Sequence, residues 1–258
     1  MTTQVPFKAP LILMAAPNGA YKQTTDHPAL PVTAEALART AKQCLDAGAA
    51  MLHLHIRDSQ GRHSLDVDGY RQAIAAVRSA VGQEMVLQVT SEAAKVYQSP
   101  AQIAMVRELR PEAVSVGLRE LDQPEIGEAG LSDFFSWLAD RRIMTQVILY
   151  DVKDVQRWQA LRASGTIPDN AWSLLMCLGA TASVRSRTRA IWCHFLPTTK
   201  DQSLGRCVPS VRQNMPASLP LPPWGAMCGS VLKTTFTCIT GTRRPTMQRW
   251  LRKPLARQ

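Results

Sequence analysis

Met51-Leu52-His53-Leu54-His55-Ile56-Arg57-Asp58 alternates polar and apolar residues from its second position onward. That is the period of a β-strand, whose successive side chains point to opposite faces. His53 and His55 therefore share one face, and Leu52, Leu54 and Ile56 the other. Working outward, comparable short apolar runs occur at Leu11–Pro17, Glu84–Ser91, Ala113–Glu120 and Met144–Tyr150, and Ala171–Leu175 begins a sixth. They are rich in Val, Ile, Leu and Met, as strands buried on both faces are. Helical stretches lie between them. Thr33 caps one that carries Leu37, Ala41, Cys44 and Leu45 on one face and stops at Gly48. Ser99-Pro100 starts another, and Ser132-Asp133 a third. Strand–helix units of roughly 30 residues mean a parallel sheet with right-handed crossovers. Five units and the start of a sixth predict an α/β fold, a TIM (β/α)8 barrel incomplete in this chain, over residues 1–175. A doubly wound sheet is disfavoured because no Gly-x-Gly-x-x-Gly turn follows the first strand.

In such barrels the chemistry sits at the C-terminal ends of strands. Two imidazoles on one strand face can hold one divalent metal; they equally suit a hydrogen-bonded polar layer inside the barrel. Asn18 and Gly19 follow the first strand as candidate substrate contacts, Gly19 because backbone can approach a ligand closely there, although the same residues make an ordinary tight turn. Thr90 ends the third strand and can hydrogen-bond a substrate carboxylate. Arg119 ends the fourth, where it can grip a carboxylate or form a surface ion pair. Arg57 and Asp58 read as a local ion pair, and Asp151 as a site residue or a helix cap. His27 and His63 fall in loops with no obvious partner, and Trp137 and Trp158 read as packing between helices and barrel.

Ala15-Ala16-Pro17-Asn18-Gly19-Ala20, His27-Pro28-Ala29-Leu30-Pro31-Val32-Thr33 and Asp46-Ala47-Gly48-Ala49, leading into His53-Leu54-His55-Ile56-Arg57-Asp58, resemble the β-keto acid cleavage enzymes, colinearly over residues 10–175. The resemblance implies a zinc-dependent (β/α)8 barrel, usually a homotetramer, that converts a β-keto acid plus acetyl-CoA into acetoacetate plus a new acyl-CoA. It makes His53 and His55 zinc ligands and puts Thr90 near a substrate-binding Ser or Thr. The chain also departs from the family pattern. A glutamate of the amino-substrate member falls at Tyr21, and a Ser-Thr-Gly-Gly run appears as Thr90-Ser91-Glu92-Ala93. The third ligand, a glutamate in a Gly-Phe-Glu-[Asn/Asp]-Asn motif, is missing.

Composition shows where it went. The net charge of +10 is uneven: residues 1–175 hold 17 Lys and Arg against 19 acids, whereas 176–258 hold 13 against Asp201 alone. The same basic segment contains five of the six cysteines and eight of the 17 prolines, without helical or alternating period. Its arginine pairs could touch phosphate, but Trp and Cys are unusual in a solvated nucleic-acid tail, and no nucleic-acid partner is expected. When each new codon takes the third base of one codon and the first two of the next, Trp224 to Gly241 permits G-G-H-V-R-V-G-F-E-N-N-L-H-L-H-H-G. Leu204 to Val211 permits W-A-V-C-A-F-G and Met176 to Thr181 permits V-L-G-R-Y at the same offset, each family-like and in order. Residues 176–258 thus read as an aberrant, frameshifted segment in place of barrel units six to eight, with the glutamate codon split across Leu232 and Lys233.

The expectation is a zinc-dependent, acetyl-CoA-using β-keto acid cleavage enzyme, impaired in this chain. The alternatives are a half-barrel with a basic nucleic-acid-binding tail, and another His-x-His metal-dependent hydrolase. No apolar run is long enough to span a membrane, no signal peptide is readable, and the cysteines are unpatterned, so a cytoplasmic homo-oligomer is expected.

Overall fold

The structure, a computed structural model, describes residues 12–177 and the backbone of residues 235–237. Apart from Met176, Cys177 and those three residues, the basic segment 176–258 lies outside the described residues, as does the position near Leu232.

Six parallel strands carry the fold: β1 (Ile12–Ala15), β2 (Met51–Leu54), β5 (Val86–Thr90), β6 (Ala113–Gly117), β7 (Met144–Leu149) and β8 (Ser173–Met176). A short hairpin of β3 (Ile56–Arg57) and β4 (His63–Ser64) follows β2. Helices α1 (Ala34–Asp46), α2 (Val67–Val81), α3 (Ser99–Leu109), α4 (Leu118–Leu121), α5 (Gly127–Asp140) and α6 (Val152–Ala163) make the connections. The sheet order is β8-β7-β6-β5-β2-β1-β9, where β9 (Thr235–Thr237) runs antiparallel to β1. Among the described residues β8 and β9 end the order and do not meet, so this is the sequential sheet of a (β/α)8 barrel left open. In a complete barrel β1 meets a parallel eighth strand; here the short β9 occupies its edge in the opposite sense.

Local chemistry explains the elements. Thr33 caps α1 by accepting from the Ala36 N–H at 3.2 Å, and Leu37 and Ala41 point into the core. Gly48, at φ +94°, turns the chain toward β2 in a conformation that side chains avoid. Pro100 sits in the first turn of α3, where its missing N–H costs nothing. One helix start differs from expectation. α5 begins at Gly127, whose φ of +59° makes the turn, so Ser132 and Asp133 lie inside the helix. Asp133 is on the exposed side and pairs with Arg107 at 2.6 Å, a surface role that looks like a cap in sequence.

The two faces of the sheet have different chemistry. Leu52, Leu54, Leu87, Val89, Val114, Val116, Val147, Leu149 and Leu174 pack outward with Tyr70, Phe134, Phe135 and Trp158 into one apolar core beneath the helices. Each buried side chain of this size stabilises by about 1.5–3 kcal/mol relative to exposure. The alternate positions include a row of polar residues, nearly all buried, at the middle of the sheet: His53, Gln88, Ser115, Gln146 and Ser173. Among the described residues no helix is long and apolar enough to cross a membrane.

Candidate functional site

The strand that carries His53 is shorter than its alternating sequence. β2 ends at Leu54 and the chain departs into β3, with His55 between them. The cause is Asn18. Its side-chain oxygen accepts from the His55 N–H at 3.1 Å, and its amide donates to the His55 carbonyl at 2.9 Å and to the Pro31 carbonyl at 3.0 Å. Both backbone groups of His55 are thus taken by one buried side chain from the β1–α1 loop, and β2 cannot continue past this point.

That clamp holds His55 so that its Nε2 lies 3.0 Å from His53 Nε2. The shared strand face expected from sequence becomes two imidazole nitrogens converging on one point. Each ring has a partner on its far side. His53 Nδ1 lies 2.8 Å from Gln88 Oε1, its register neighbour on β5. An amide oxygen only accepts, so His53 carries its proton on Nδ1 and presents the Nε2 lone pair toward His55. His55 Nδ1 faces the Glu92 carboxylate at 3.8 Å. Two imidazoles placed this way could supply two donors to a transition metal, with His53 backed by an amide oxygen at hydrogen-bond distance and His55 by a carboxylate beyond it. Among the described residues no third Asp, Glu, Cys or His joins them as a metal-holding group. The polar layer continues as Gln88 Nε2 to Gln146 Oε1 and Gln146 Nε2 to Ser173 Oγ, both at 3.5 Å.

The loop after β5 closes one side. Thr90 is buried and its hydroxyl accepts from the Glu92 N–H at 3.1 Å, while Tyr70 donates to the Thr90 carbonyl at 2.9 Å. His63, expected in a loop without partners, lies on β4 with its Nε2 2.9 Å from the Glu92 carbonyl, and its ring stands edge-on to that of His55 at 5.4 Å. Burial first, and Arg57 nearby, hold the His63 pKa below the usual histidine value, so it is neutral and donates. Glu120 accepts from the Ala93 N–H at 3.0 Å and from Gln102 Nε2 at 3.1 Å, and burial raises its pKa despite those bonds. Sequence alone assigns no site role to Glu92, Glu120, Gln146 or Ser115. The Ser115 hydroxyl is buried on the inner face with no hydrogen-bond partner among the described residues. Gln88, Ser115 and Gln146 were legible as polar breaks in apolar runs; Glu92 and Glu120 lie just past strand ends and carry no such signal.

Gly19 has open space where a Cβ would stand, and its carbonyl accepts from Arg57 Nη2. Arg57 also donates to the Lys22 carbonyl at 3.2 Å, whereas Asp58 pairs with Arg62 at 2.8 Å, so Arg57 and Asp58 do not form the expected local pair. Neighbours on a strand diverge, which separates their side chains. Arg119 is held by Asp151 at 2.7 Å and Asp154 at 2.8 Å and lies over the Tyr150 ring at 5.0 Å. Asp151 also caps α6, accepting from Lys153 and Asp154 N–H.

A sequence profile of the β-keto acid cleavage enzymes matches residues 10–234, taking in the whole strand–helix part and running on into the basic segment. The chain belongs to this family. It is 29% identical over 146 residues to a 3-keto-5-aminohexanoate cleavage enzyme of Fusobacterium nucleatum, covering 55% of this chain and 53% of that protein. It is 23% identical over 175 residues to a 3-oxoadipate:acetyl-CoA acetyltransferase of Cupriavidus necator, covering 66% of this chain and 60% of that one. The chain thus spans a little over half the length of these curated relatives. A solved ternary complex of ObcA with a C4-CoA adduct and oxalate aligns at 17% identity and a TM-score of 0.46 over 58% of this chain and 37% of that one. For this member of the cleavage-enzyme family, the residues matching the family pattern at 53 and 55 are the two whose imidazoles converge.

Proposed function

We propose that this chain descends from a zinc-dependent β-keto acid cleavage enzyme, converting a β-keto acid and acetyl-CoA into acetoacetate and an acyl-CoA, and that the present chain is impaired. The observation that carries the reading is the 3.0 Å approach of His53 Nε2 and His55 Nε2 on the inner face of the sheet in a member of this family. His53 and His55 would hold the metal, with a glutamate as the third ligand in the intact reading frame. When bound, zinc supplies Lewis acidity toward a keto oxygen and a carboxylate. Gln88 fixes the His53 tautomer that keeps a lone pair available, and Asn18 fixes the backbone of His55. The Ser115 hydroxyl, without a hydrogen-bond partner among the described residues, is a donor for a substrate oxygen on the same face. Thr90 acts through the loop it pins, by holding the Glu92 N–H. Arg119 orders the end of β6 against α6 through Asp151 and Asp154.

Impairment follows from the missing third ligand and the incomplete barrel, since an open sheet exposes unpaired edges and apolar surface. The test measures zinc content and acetyl-CoA-dependent acetoacetate formation from a panel of β-keto acids, for the chain as it stands and for a version returned to frame before Met176. The expected result is turnover by the restored version and at least a hundredfold less by the present chain. Equal, rapid turnover by both refutes the impairment; hydrolysis of substrate without any need for CoA refutes the reaction.

A further inference from the structure

Glu92 stands where the resemblance implies a glycine, and its surroundings are built to hold it. Its N–H donates to Thr90 Oγ1 at 3.1 Å, and its carbonyl accepts from the buried His63 at 2.9 Å. The loop beyond it is fixed by Glu120 at the Ala93 N–H and turns through Ala94 and Lys95, both in the left-handed region at φ 47° and 61°. Non-glycine residues adopt that conformation at a cost, and they keep it only where the surroundings impose it. The carboxylate of this pinned residue comes within 3.8 Å of His55 Nδ1, on the side of the ring away from His53. Three-quarters of the side chain is out of solvent.

We infer that Glu92 is a positioning residue of the metal site, the carboxylate whose charge, 3.8 Å behind His55 Nδ1, would draw the ring proton to that nitrogen once the Nε2 lone pair is given to a metal. The two rings are then supported asymmetrically: His53 by the neutral amide of Gln88, His55 by a negative charge. A carboxylate behind a ligating imidazole raises its basicity and fixes its orientation, and loss of such partners typically costs about 10–100-fold in metal affinity. The inference rests on the proposed metal reading, because Glu92 acts only through His55.

The test uses the full chain, as it stands and returned to frame before Met176, with Zn2+ in competition with a chromophoric chelator and with Co2+ as a spectroscopic probe; the substitutions are read in whichever form takes up metal. E92Q keeps the size and removes the charge; E92D keeps the charge. Expected is an affinity about tenfold or more weaker in E92Q and within about threefold of wild type in E92D, with the Co2+ absorption bands shifted only in E92Q. Far-UV circular dichroism identical for all three excludes unfolding as the cause. If E92Q binds both ions as the wild type does, with the same Co2+ bands, this inference is overturned while the metal reading stands. If the unsubstituted chain takes up neither ion both as it stands and when returned to frame, the metal reading falls and the inference with it.

Discussion

Replacing Asn18 by alanine removes three buried hydrogen bonds in one step: two donated to the His55 and Pro31 carbonyls and one accepted from the His55 N–H. Asn18 is 6% exposed, so none of the abandoned groups turns easily to bulk water. A buried backbone group left without a partner costs about 1–3 kcal/mol, and entry of a water can recover part of that. N18A should therefore lose on the order of 3 kcal/mol. At about 2–4 °C per kcal/mol for a domain of this size, the melting temperature should fall by about 6–12 °C. N18D is the more discriminating change. Its oxygen still accepts from the His55 N–H, but two donors become lone pairs facing two carbonyl oxygens, so it should be worse than alanine although it is nearly isosteric. Thermal melts of the purified full chain, followed by far-UV circular dichroism, measure both. An N18A variant within about 0.5 kcal/mol of wild type, or an N18D variant that melts with it, would refute the clamp and with it the account of why β2 ends at Leu54.

Other outcomes follow from the same geometry. Gln88→Leu leaves His53 Nδ1 without its acceptor and should weaken zinc binding about tenfold or more in the same chelator competition. Glu120 has its folded pKa raised by burial above the ordinary 4.5, so the folded state binds the extra proton and stability is lost as pH rises through the raised value. E120Q should therefore melt with wild type near pH 4 and above it near pH 7; a constant difference across that range would contradict the buried carboxylate. Arg119→Ala leaves the buried Asp154 with only the Tyr150 N–H at 2.7 Å and, Arg119 being part-exposed, should cost about 1–2 kcal/mol in urea unfolding. Lys95→Gly, at φ 61°, should raise stability by about 0.5–1 kcal/mol, because glycine adopts that conformation without penalty.

The strands were legible because each is an apolar run that must be buried on both faces, and the helices because caps such as Thr33 and stops such as Gly48 act through local backbone bonding. The His53–His55 pair was legible for the same local reason, since a period of two fixes which side chains share a face. What sequence could not show depends on residues brought together by the crossovers. Asn18 reaches 37 residues along the chain to His55, and nothing in Pro17-Asn18-Gly19 distinguishes a clamp from a substrate contact. Arg119 likewise meets Asp151 and Asp154 across α5 and β7, so its guanidinium is engaged with this chain's own carboxylates. Glu92 looked like a departure from a glycine pattern; its proximity to His55 needed the β2–β5 register to become visible. Within residues 12–177, sheet order and core therefore follow from local pattern, whereas the supports of the two histidines come from long-range contact.

The central claim is that His53 and His55 belong to a β-keto acid cleavage site whose remaining part is encoded out of frame after Leu175. The most direct measurement is acetoacetate formation from β-keto acids and acetyl-CoA by the frame-restored protein, alone and with His53 or His55 replaced by alanine. The account predicts CoA-dependent turnover carried with about one zinc per chain, and loss of both in either histidine variant. Turnover that survives H53A and H55A, or a restored protein that binds no zinc and forms no acetoacetate, would contradict it.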